Sequence, residues 1–256
     1  MSGILAIVPV RGAGVARGAT AAAPAAGSTS PTAGAVPALA ELAGRPLLWY
    51  ALAAARESPA DRVVVATADA AAAAYATAEG AGVVTLPAAL TPSAPAEAVL
   101  AHALDALETE ANYRPGLVVL IAPQTPLRRR GRVREALAIL RRDRADSLLS
   151  VSAEPPLLWR PSPGGLVPFY DPQARPPRRG APASWLHENG SLYVSRCAGL
   201  RRAGTRLFGK ISVLEMTPEE SARADDPAGL AVCGALLTHV RPDWAPQAQL
   251  AAAQIS

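Results

Sequence analysis

The sequence predicts an α/β fold in which helices cover both faces of a mostly parallel β-sheet. Apolar runs of strand length alternate with helical stretches from residue 4 to residue 152, which is the pattern of repeated β-α units. Residues 117–122 form an uninterrupted apolar run, as expected of a central strand that is covered on both faces. At 256 residues, the chain is long enough to build one large core. We therefore expect a three-layer sandwich, with ligands bound beyond the carboxyl ends of its strands.

The individual elements follow from local patterns of residues. Helix 46–57 begins at Pro46, a favoured first helical position, and the alanine-rich helix 69–79 ends at Gly80. Helix 95–110 carries its apolar residues on one side, and β-branched and aliphatic runs mark the strands. In chain order, the predicted elements are strand 4–10, helix 46–57, strand 62–67, helix 69–79, strand 83–86, helix 95–110, strand 117–122, helix 132–143, strand 147–152 and strand 191–194.

Three segments depart from this alternation. Residues 18–38 carry no charged and no aromatic side chain, a composition that cannot bury enough surface to order itself, so we interpret them as a flexible loop. Residues 154–187 are rich in proline and arginine and contain four aromatic residues, which indicates an irregular arm. Residues 241–256 are interpreted as a tail. Residues 1–240 then form one domain.

Composition narrows the class of protein. Basic residues exceed acidic residues by 25 to 21, and Lys210 is the only lysine. The many arginines fit phosphate or carboxylate binding, but GC-rich codon usage explains the same bias. Cys197 and Cys233 form no short C-x-x-C pair, which excludes a cysteine zinc site. The apolar run 3–10 is too short for a signal peptide or a membrane span, so we expect a cytoplasmic protein that binds neither membrane nor nucleic acid.

A basic, glycine-rich turn follows the first strand. The chain reads Arg11-Gly12-Ala13-Gly14-Val15-Ala16-Arg17-Gly18. Successive backbone N–H groups with little side chain around them form an anion-binding concavity, to which Arg11 adds a fork of donors. A nucleotide phosphate suits such a site, and a plain tight turn after a core strand is the alternative. The spacing G-x-G-x-x-x-G differs from the G-x-G-x-x-G of dinucleotide-binding folds.

Three further polar groups fall at ends of predicted elements. Two prolines flank Gln124 and Thr125 directly after strand 117–122, so the loop would present Gln124 and Arg128 to the crevice or serve only as a strand-to-helix connection. Asn189 precedes Gly190, and it either binds a ligand hydroxyl or forms a turn. Asp225 and Asp226 precede a proline-started helix, where they would hold Mg²⁺ or cap the helix.

Taken in order, these groups resemble one family, the cytidylyltransferases that activate sialic acids (the CMP-N-acylneuraminate synthetases). The resemblance covers residues 4–237 and implies a Rossmann-like nucleotidyltransferase fold, with 154–187 as a dimerisation arm of a homodimer. It rests on the first strand with Arg11-Gly12, Leu42-Ala43-Gly44-Arg45-Pro46-Leu47, residues 62–67 leading to Asp69, Pro123 to Arg128, Ala145-Asp146-Ser147, Asn189-Gly190-Ser191-Leu192-Tyr193, and Glu215-Met216 leading to Asp225.

The resemblance implies that CTP and a sialic-acid-like sugar acid react with Mg²⁺ to give the CMP-sugar and pyrophosphate. Arg11 and Asp225 would be the catalytic residues. The sequence departs from the family where Arg223 replaces the first acid of a D-x-D pair, where Ala122 replaces a glutamine, and where Arg17 is the only basic residue left for a phosphate-loop lysine. The other implied roles are nucleotide binding by Arg11, Gly12, Ala13, Gly14, Arg17 and Asp69, metal binding by Asp225 and Asp226, and substrate binding by Gln124, Arg128 and Asn189.

Two alternatives follow from these departures. One is a non-catalytic member that binds a nucleotide, a sugar or a partner. The other is a nucleotidyltransferase that uses another nucleotide and a sugar phosphate.

Overall fold

The computed structural model describes residues 3–10, 36–90, 94–154, 157–174 and 185–244. The described strands are β1 (Ile4–Val10), β2 (Glu41–Leu42), β3 (Arg45–Pro46), β4 (Arg62–Thr67), β5 (Gly82–Thr85), β6 (Leu117–Ile121), β7 (Ser147–Ala153), β8 (Trp159–Ser162), β9 (Gly165–Pro168), β10 (Leu186–Arg196) and β11 (Ile211–Met216). The helices are α1 (Leu47–Arg56), α2 (Ala70–Ala78), α3 (Ala96–Ala111), α4 (Arg132–Arg142), α5 (Cys197–Ala203) and α6 (Pro227–Val240), with 3₁₀ turns at Ala88–Leu90 and Pro242–Trp244.

Within these residues, seven strands form one sheet in the order β11-β7-β10-β6-β1-β4-β5. Every neighbouring pair is parallel except those of β10, which runs antiparallel to β6 and β7. The mostly parallel sheet confirms the predicted fold class. From β1 the chain adds β4 and β5 on one side, and it then returns to place β6 on the other side of β1. The strand order therefore reverses at β1.

Helices cover both faces, as the three-layer prediction requires. Side chains of β1 alternate between two cores, because successive strand residues point to opposite faces: Ile4, Ala6 and Val8 join one core, and Leu5 and Ile7 join the other. Helices α1, α2 and α4 close the first core, and α3 and α5 close the second. A third core lies between the outer side of α1 and α6.

The chain stays packed beyond residue 240, where the sequence indicated a tail. Arg241 is buried, and Trp244 packs edge-on against Trp49 and Tyr50 with ring centroids 5.4 Å away in both cases. The body of the protein therefore includes residues 241–244. Residues 18–35 of the expected flexible loop and residues 245–256 of the tail lie outside the described residues.

Strand β10 is longer than the sequence indicated. Prediction placed a turn at Asn189-Gly190 and a strand at 191–194, whereas β10 begins at Leu186 and contains both residues as a bulge. Gly190 has a φ of +70°, which suits glycine, and the bulge shifts the pairing with β7 between Glu188 and Tyr193. The end of the expected arm, residues 186 and 187, thus belongs to the central sheet.

Two small hairpins stand outside the sheet. The pair β2–β3 turns through Ala43 and Gly44, both with positive φ, as in the tight turns that favour this geometry. The pair β8–β9 lies in the expected arm and exposes most of its side chains. None of the described helices combines the length and apolarity that a membrane crossing needs.

Candidate active site

The chain's polar motifs meet at the carboxyl edge of the parallel strands, beside the point where the strand order reverses. Here β1 ends at Val10 and β6 ends at Ile121, while the antiparallel β10 begins nearby. Open α/β sheets bind their ligands at such a point because loops from two neighbouring strands diverge there. The loop 122–128, the β10 bulge and residues 223–226 all lie at this edge.

Hydrogen bonds lock these three segments together. The backbone N–H of Ala224 donates to the carbonyl oxygen of half-buried Gln124 (2.8 Å). The Thr125 hydroxyl donates to Ser191 Oγ in the bulge (3.1 Å). Val36, the first described residue after the glycine-rich segment, donates its N–H to the carbonyl oxygen of Asp225 (3.1 Å). The edge of the sheet is therefore one connected polar structure.

Arg128 is fully buried and only partly satisfied. Its Nη2 donates to the carbonyl oxygen of Ala122 and to Thr125 Oγ1 (3.0 Å), whereas its Nε and Nη1 have no hydrogen-bond partner. Burial, together with the positive charges of Arg223 and Arg241, lowers the pKa of Arg128 to about 9. A buried charge without a counter-ion is strongly unfavourable. Arg128 is therefore a buried charge that an anion would stabilise.

Arg241 makes the contrast with Arg128 clear. Its guanidinium is as buried, but Glu57 (2.8 Å) and Asp243 (2.9 and 2.8 Å) both accept hydrogen bonds from it, and it lies over the Trp244 ring. Its Nη1 also donates to the carbonyl oxygen of Arg128 (3.0 Å). The charge of Arg241 is thus neutralised by two carboxylates, and its side chain fixes the backbone of Arg128. Within the part of the chain that the structure describes, the charge of Arg128 has no such partner.

Arg223 and Asp225 form a two-point ion pair. Arg223 Nε donates to Asp225 Oδ2 (2.5 Å) and Nη2 donates to Asp225 Oδ1 (2.8 Å). The remaining terminal nitrogen, Nη1, donates to the carbonyl oxygen of Asn189 in the bulge (2.9 Å). A parallel, two-bond pair of this kind is the strongest geometry available to arginine and a carboxylate. Asp225 and the carbonyl oxygen of Asn189 therefore fix the orientation of the Arg223 side chain.

Two expected ligand residues cap helices. Asp226 Oδ1 accepts the N–H of Gly229 (2.7 Å) at the start of α6, and Asp69 Oδ1 accepts the N–H groups of Ala71 and Ala72 (2.8 and 3.1 Å) at the start of α2. For Asp226, capping was the alternative to metal binding. Asp69 follows the carboxyl end of β4 and was expected to bind the nucleotide. Its Oδ1 is instead bound to the first turn of α2.

The described residues do not fit the expected Mg²⁺ site. Both oxygens of Asp225 bind Arg223, and Oδ1 of Asp226 caps its own helix. A guanidinium bound to the would-be ligand also repels a divalent cation. We derive no step through a metal ion.

Asn189 supports the bulge from inside. Its Oδ1 accepts the Ser150 hydroxyl (2.6 Å) and the N–H of Ser191 (3.0 Å), and its Nδ2 donates to Ser221 Oγ (2.9 Å). The residue is buried. These bonds occupy the side chain that was expected to face the sugar, so its contribution to the site runs through its backbone carbonyl, which holds Arg223.

Other predicted site residues lie outside the described residues. These are Arg11, Gly12, Ala13, Gly14 and Arg17, so the predicted phosphate loop stays a prediction. Val10 and Val36, which flank this segment, both lie at the edge that carries Arg128 and Asp225.

A buried carboxylate, Glu220, escaped the sequence analysis. It accepts hydrogen bonds from Arg132 Nε (2.7 Å) and Nη2 (2.5 Å) and from the N–H groups of Arg129 (3.0 Å) and Thr217 (3.2 Å). Burial would raise the pKa of Glu220, but these donors keep it below its ordinary value. The spacing of Thr217 and Glu220 is that of a capping box, a signal that sequence reading offers.

Gly229 allows helix α6 to pack closely against the segment that carries Arg223 and Asp225. A Cβ atom added there would overlap the carbonyl oxygen of Arg223. Only glycine lets the first turn of α6 approach the 223–225 segment this closely.

Comparison with known proteins places the fold. The sequence matches no protein-family model and no curated protein. Among solved structures, it is similar to CMP:2-keto-3-deoxy-manno-octonic acid synthetase complexed with CTP (17% identity, TM-score 0.60). It is also similar to 4-diphosphocytidyl-2C-methyl-D-erythritol synthase from Anaerococcus prevotii (12% identity, TM-score 0.62). Each match covers 93% of this chain and 99% of the other.

The fold is a nucleotidyltransferase fold. At 17% and 12% identity, both similar structures show which fold the chain has. Neither is a sialic acid synthetase. In this nucleotidyltransferase fold, the unpaired Arg128 and the Arg223–Asp225 pair lie where the strand order reverses.

Proposed function

We propose that this protein is a cytidylyltransferase that couples CTP to a sialic-acid-like sugar acid. A hydroxyl oxygen of the sugar attacks the α-phosphorus, the bond from that phosphorus to the bridging oxygen of the β-phosphate breaks, pyrophosphate leaves, and the hydroxyl proton is released. Little covalent chemistry falls to the protein in such a reaction, which depends on orienting two anions and balancing their charge.

The observation that carries this proposal is the unpaired guanidinium of Arg128. Its Nε and Nη1 are buried donors without partners, in the loop that follows the central strand β6. The carboxylate of a sugar acid would balance the charge of this guanidinium and accept a hydrogen bond from one of the two nitrogens. The fold supports the nucleotide half of the proposal, and Gln124 in the same loop is the neighbouring candidate for a contact to the sugar.

A second function has a specific observation in its favour. The ion pair of Arg223 with Asp225 occupies the carboxylate that the resemblance assigns to a metal ion. A protein that binds nucleotide and sugar without turnover is compatible with this pair. Turnover separates the two functions.

The assay measures pyrophosphate release from CTP in the presence of sialic, legionaminic, pseudaminic or 3-deoxy-octulosonic acid, and of a sugar phosphate. We expect release with at least one acid and none without an acceptor. Replacement of CTP by ATP, GTP or UTP tests the base. CTP binding without release for every acceptor would favour the binding-only function, and release with the sugar phosphate alone would favour the second enzymatic alternative.

A further inference from the structure

The structure gives Arg223 a defined orientation with donors to spare. Of its five N–H groups, two bind Asp225 and one binds the carbonyl oxygen of Asn189. One N–H remains on each terminal nitrogen, and the side chain is 21% exposed. A fixed, partly exposed guanidinium with two remaining donors is a ready anion-binding group.

Its neighbours strengthen this role. Arg223 lies close enough to Arg128 for its charge to disfavour the protonated form of that residue. Arg128 has no counter-ion among the described residues, whereas Arg241 is balanced by Glu57 and Asp243. Within the described residues, this edge of the sheet therefore holds two arginines with N–H donors to spare, the partly exposed Arg223 and the fully buried Arg128.

The two carboxylates nearby are already engaged by donors of the protein. Asp225 turns both oxygens to Arg223, and Asp226 turns Oδ1 to the first turn of α6. A divalent cation at Asp225 would have to displace a two-point ion pair and then lie beside the released guanidinium.

We propose that Arg223 takes the place of a divalent cation in this crevice: held by Asp225 and Asn189, it binds the phosphate groups of the substrate directly, so that binding needs no metal ion. The choice of a phosphate ligand rests on the proposed function. In this arrangement Asp225 is a positioning residue, because it acts on the ligand only through Arg223.

The test uses the full chain and inorganic pyrophosphate as the probe, with the dissociation constant measured by calorimetry in EDTA and again with Mg²⁺. We expect binding in EDTA, within about threefold of that in Mg²⁺, and a loss of about tenfold or more in Arg223→Gln, as for removal of a charge-assisted hydrogen bond. Arg130→Gln, which removes an exposed arginine near the same loop, is the matched control and should bind as the unchanged protein does.

Asp225→Asn gives the sharpest contrast. If Asp225 only orients and partly offsets Arg223, removing its negative charge should leave pyrophosphate binding in EDTA unchanged or tighten it by about threefold to tenfold. If Asp225 holds a metal, the same variant should weaken binding and abolish its dependence on Mg²⁺. The variant Arg223→Asp should reverse the behaviour of the protein, with pyrophosphate bound only when Mg²⁺ is present.

Three results would overturn the inference: pyrophosphate binding that requires Mg²⁺, binding of Mn²⁺ to the protein that Asp225→Asn removes, or no pyrophosphate binding in either condition. The proposed function fails separately. Turnover together with pyrophosphate binding that requires Mg²⁺ keeps the function and removes the inference, whereas metal-free pyrophosphate binding without turnover on any acceptor keeps the inference and removes the function.

Discussion

The buried charged side chains at this edge of the sheet are of two kinds, those with a described partner of opposite charge and those without one. Glu220 and Arg241 are buried with their charges paired, and both fix the segments that surround the crevice. Arg128 is buried with two unpaired donors. A residue that costs stability in the free protein and gains a partner on binding is the usual sign of a functional site.

This contrast predicts an unusual result for Arg128→Met. Because methionine removes an uncompensated buried charge and keeps much of the volume, the free energy of unfolding should not fall and should rise by up to about 2 kcal/mol. Affinity for the sugar acid should fall at least about tenfold, since a charge-assisted pair is lost. Urea denaturation and calorimetry measure the two quantities.

Arg130→Met serves as the control for that pair of measurements, because Arg130 is exposed and follows two residues later. It should leave both quantities unchanged. A large loss of stability in Arg128→Met, or an unchanged affinity for the acid, would show that Arg128 is a structural residue.

At the scale of elements, helix starts account for two carboxylates, Asp69, which was expected to bind the nucleotide, and Asp226, which was expected to hold Mg²⁺ or to cap a helix. Asp69 begins α2 and Asp226 begins α6, where Pro227 occupies the first helical position. Side-chain oxygens at these positions satisfy N–H groups that have no partner within the helix. The same chemistry that suits a cation thus also suits a helix terminus.

The cap at Asp226 gives a test that separates the two roles. Asp226→Ala should lower the free energy of unfolding by about 1 kcal/mol, whereas Asp226→Asn should change it little because asparagine caps equally well. Thermal or urea denaturation measures the change. Pyrophosphate binding should survive in Asp226→Asn, and its loss there with stability intact would make Asp226 a ligand.

Regular elements were predictable because each carries a local pattern. The apolar run of β6, the alanine-rich α2 and the one-sided α3 all occur within a few residues of their predicted bounds. The bulge in β10 was not predictable in the same way. Asn-Gly is a common turn pair, and contacts from other segments hold these residues inside a strand, among them the Ser150 hydroxyl, which donates to Asn189 and accepts the N–H of Leu192.

The site, like the fold, was predictable only where a local pattern of residues marks it. The sequence identified two segments of the site by their neighbours. The loop of Arg128 follows the apolar run of β6, and residues 223–225 precede the proline-started helix α6. The sequence did not show that Arg223 binds Asp225, that Arg241 reaches back to Arg128 across 113 positions of sequence, or that Asn189 acts through its carbonyl. The contacts of Arg241 and of the Asn189 carbonyl depend on long-range packing, and the Arg223–Asp225 pair depends on side-chain orientations that a sequence pattern does not encode.

At the scale of the whole molecule, the β8–β9 hairpin is the largest departure from a buried core. Leu158, Trp159, Leu166, Val167 and Phe169 are all exposed there, between 44% and 66% of each residue. Several large apolar side chains exposed on one hairpin are typical of a contact with another protein. It supports the expected role of the arm in a homodimer.

We therefore predict that the protein is a dimer that Leu166→Glu converts to a monomer, because the new charge would be buried without a partner in the interface. Sedimentation velocity over a range of concentrations measures the change. The control is Val232→Glu, an equally exposed apolar position on α6 (51%), which should stay dimeric. A monomeric unchanged protein, or equal dissociation of both variants, would remove the hairpin from this role.

Gly229 has a consequence for attempts to redesign this chain. Alanine is preferred over glycine inside a helix by about 1 kcal/mol, so a thermostability library would include that replacement early. At this position the added methyl group would overlap the carbonyl oxygen of Arg223 and displace that residue. A screen for heat resistance should therefore favour Gly229→Ala, whereas a screen for ligand binding should reject it. Opposite results in the two screens would show that Gly229 serves the position of Arg223.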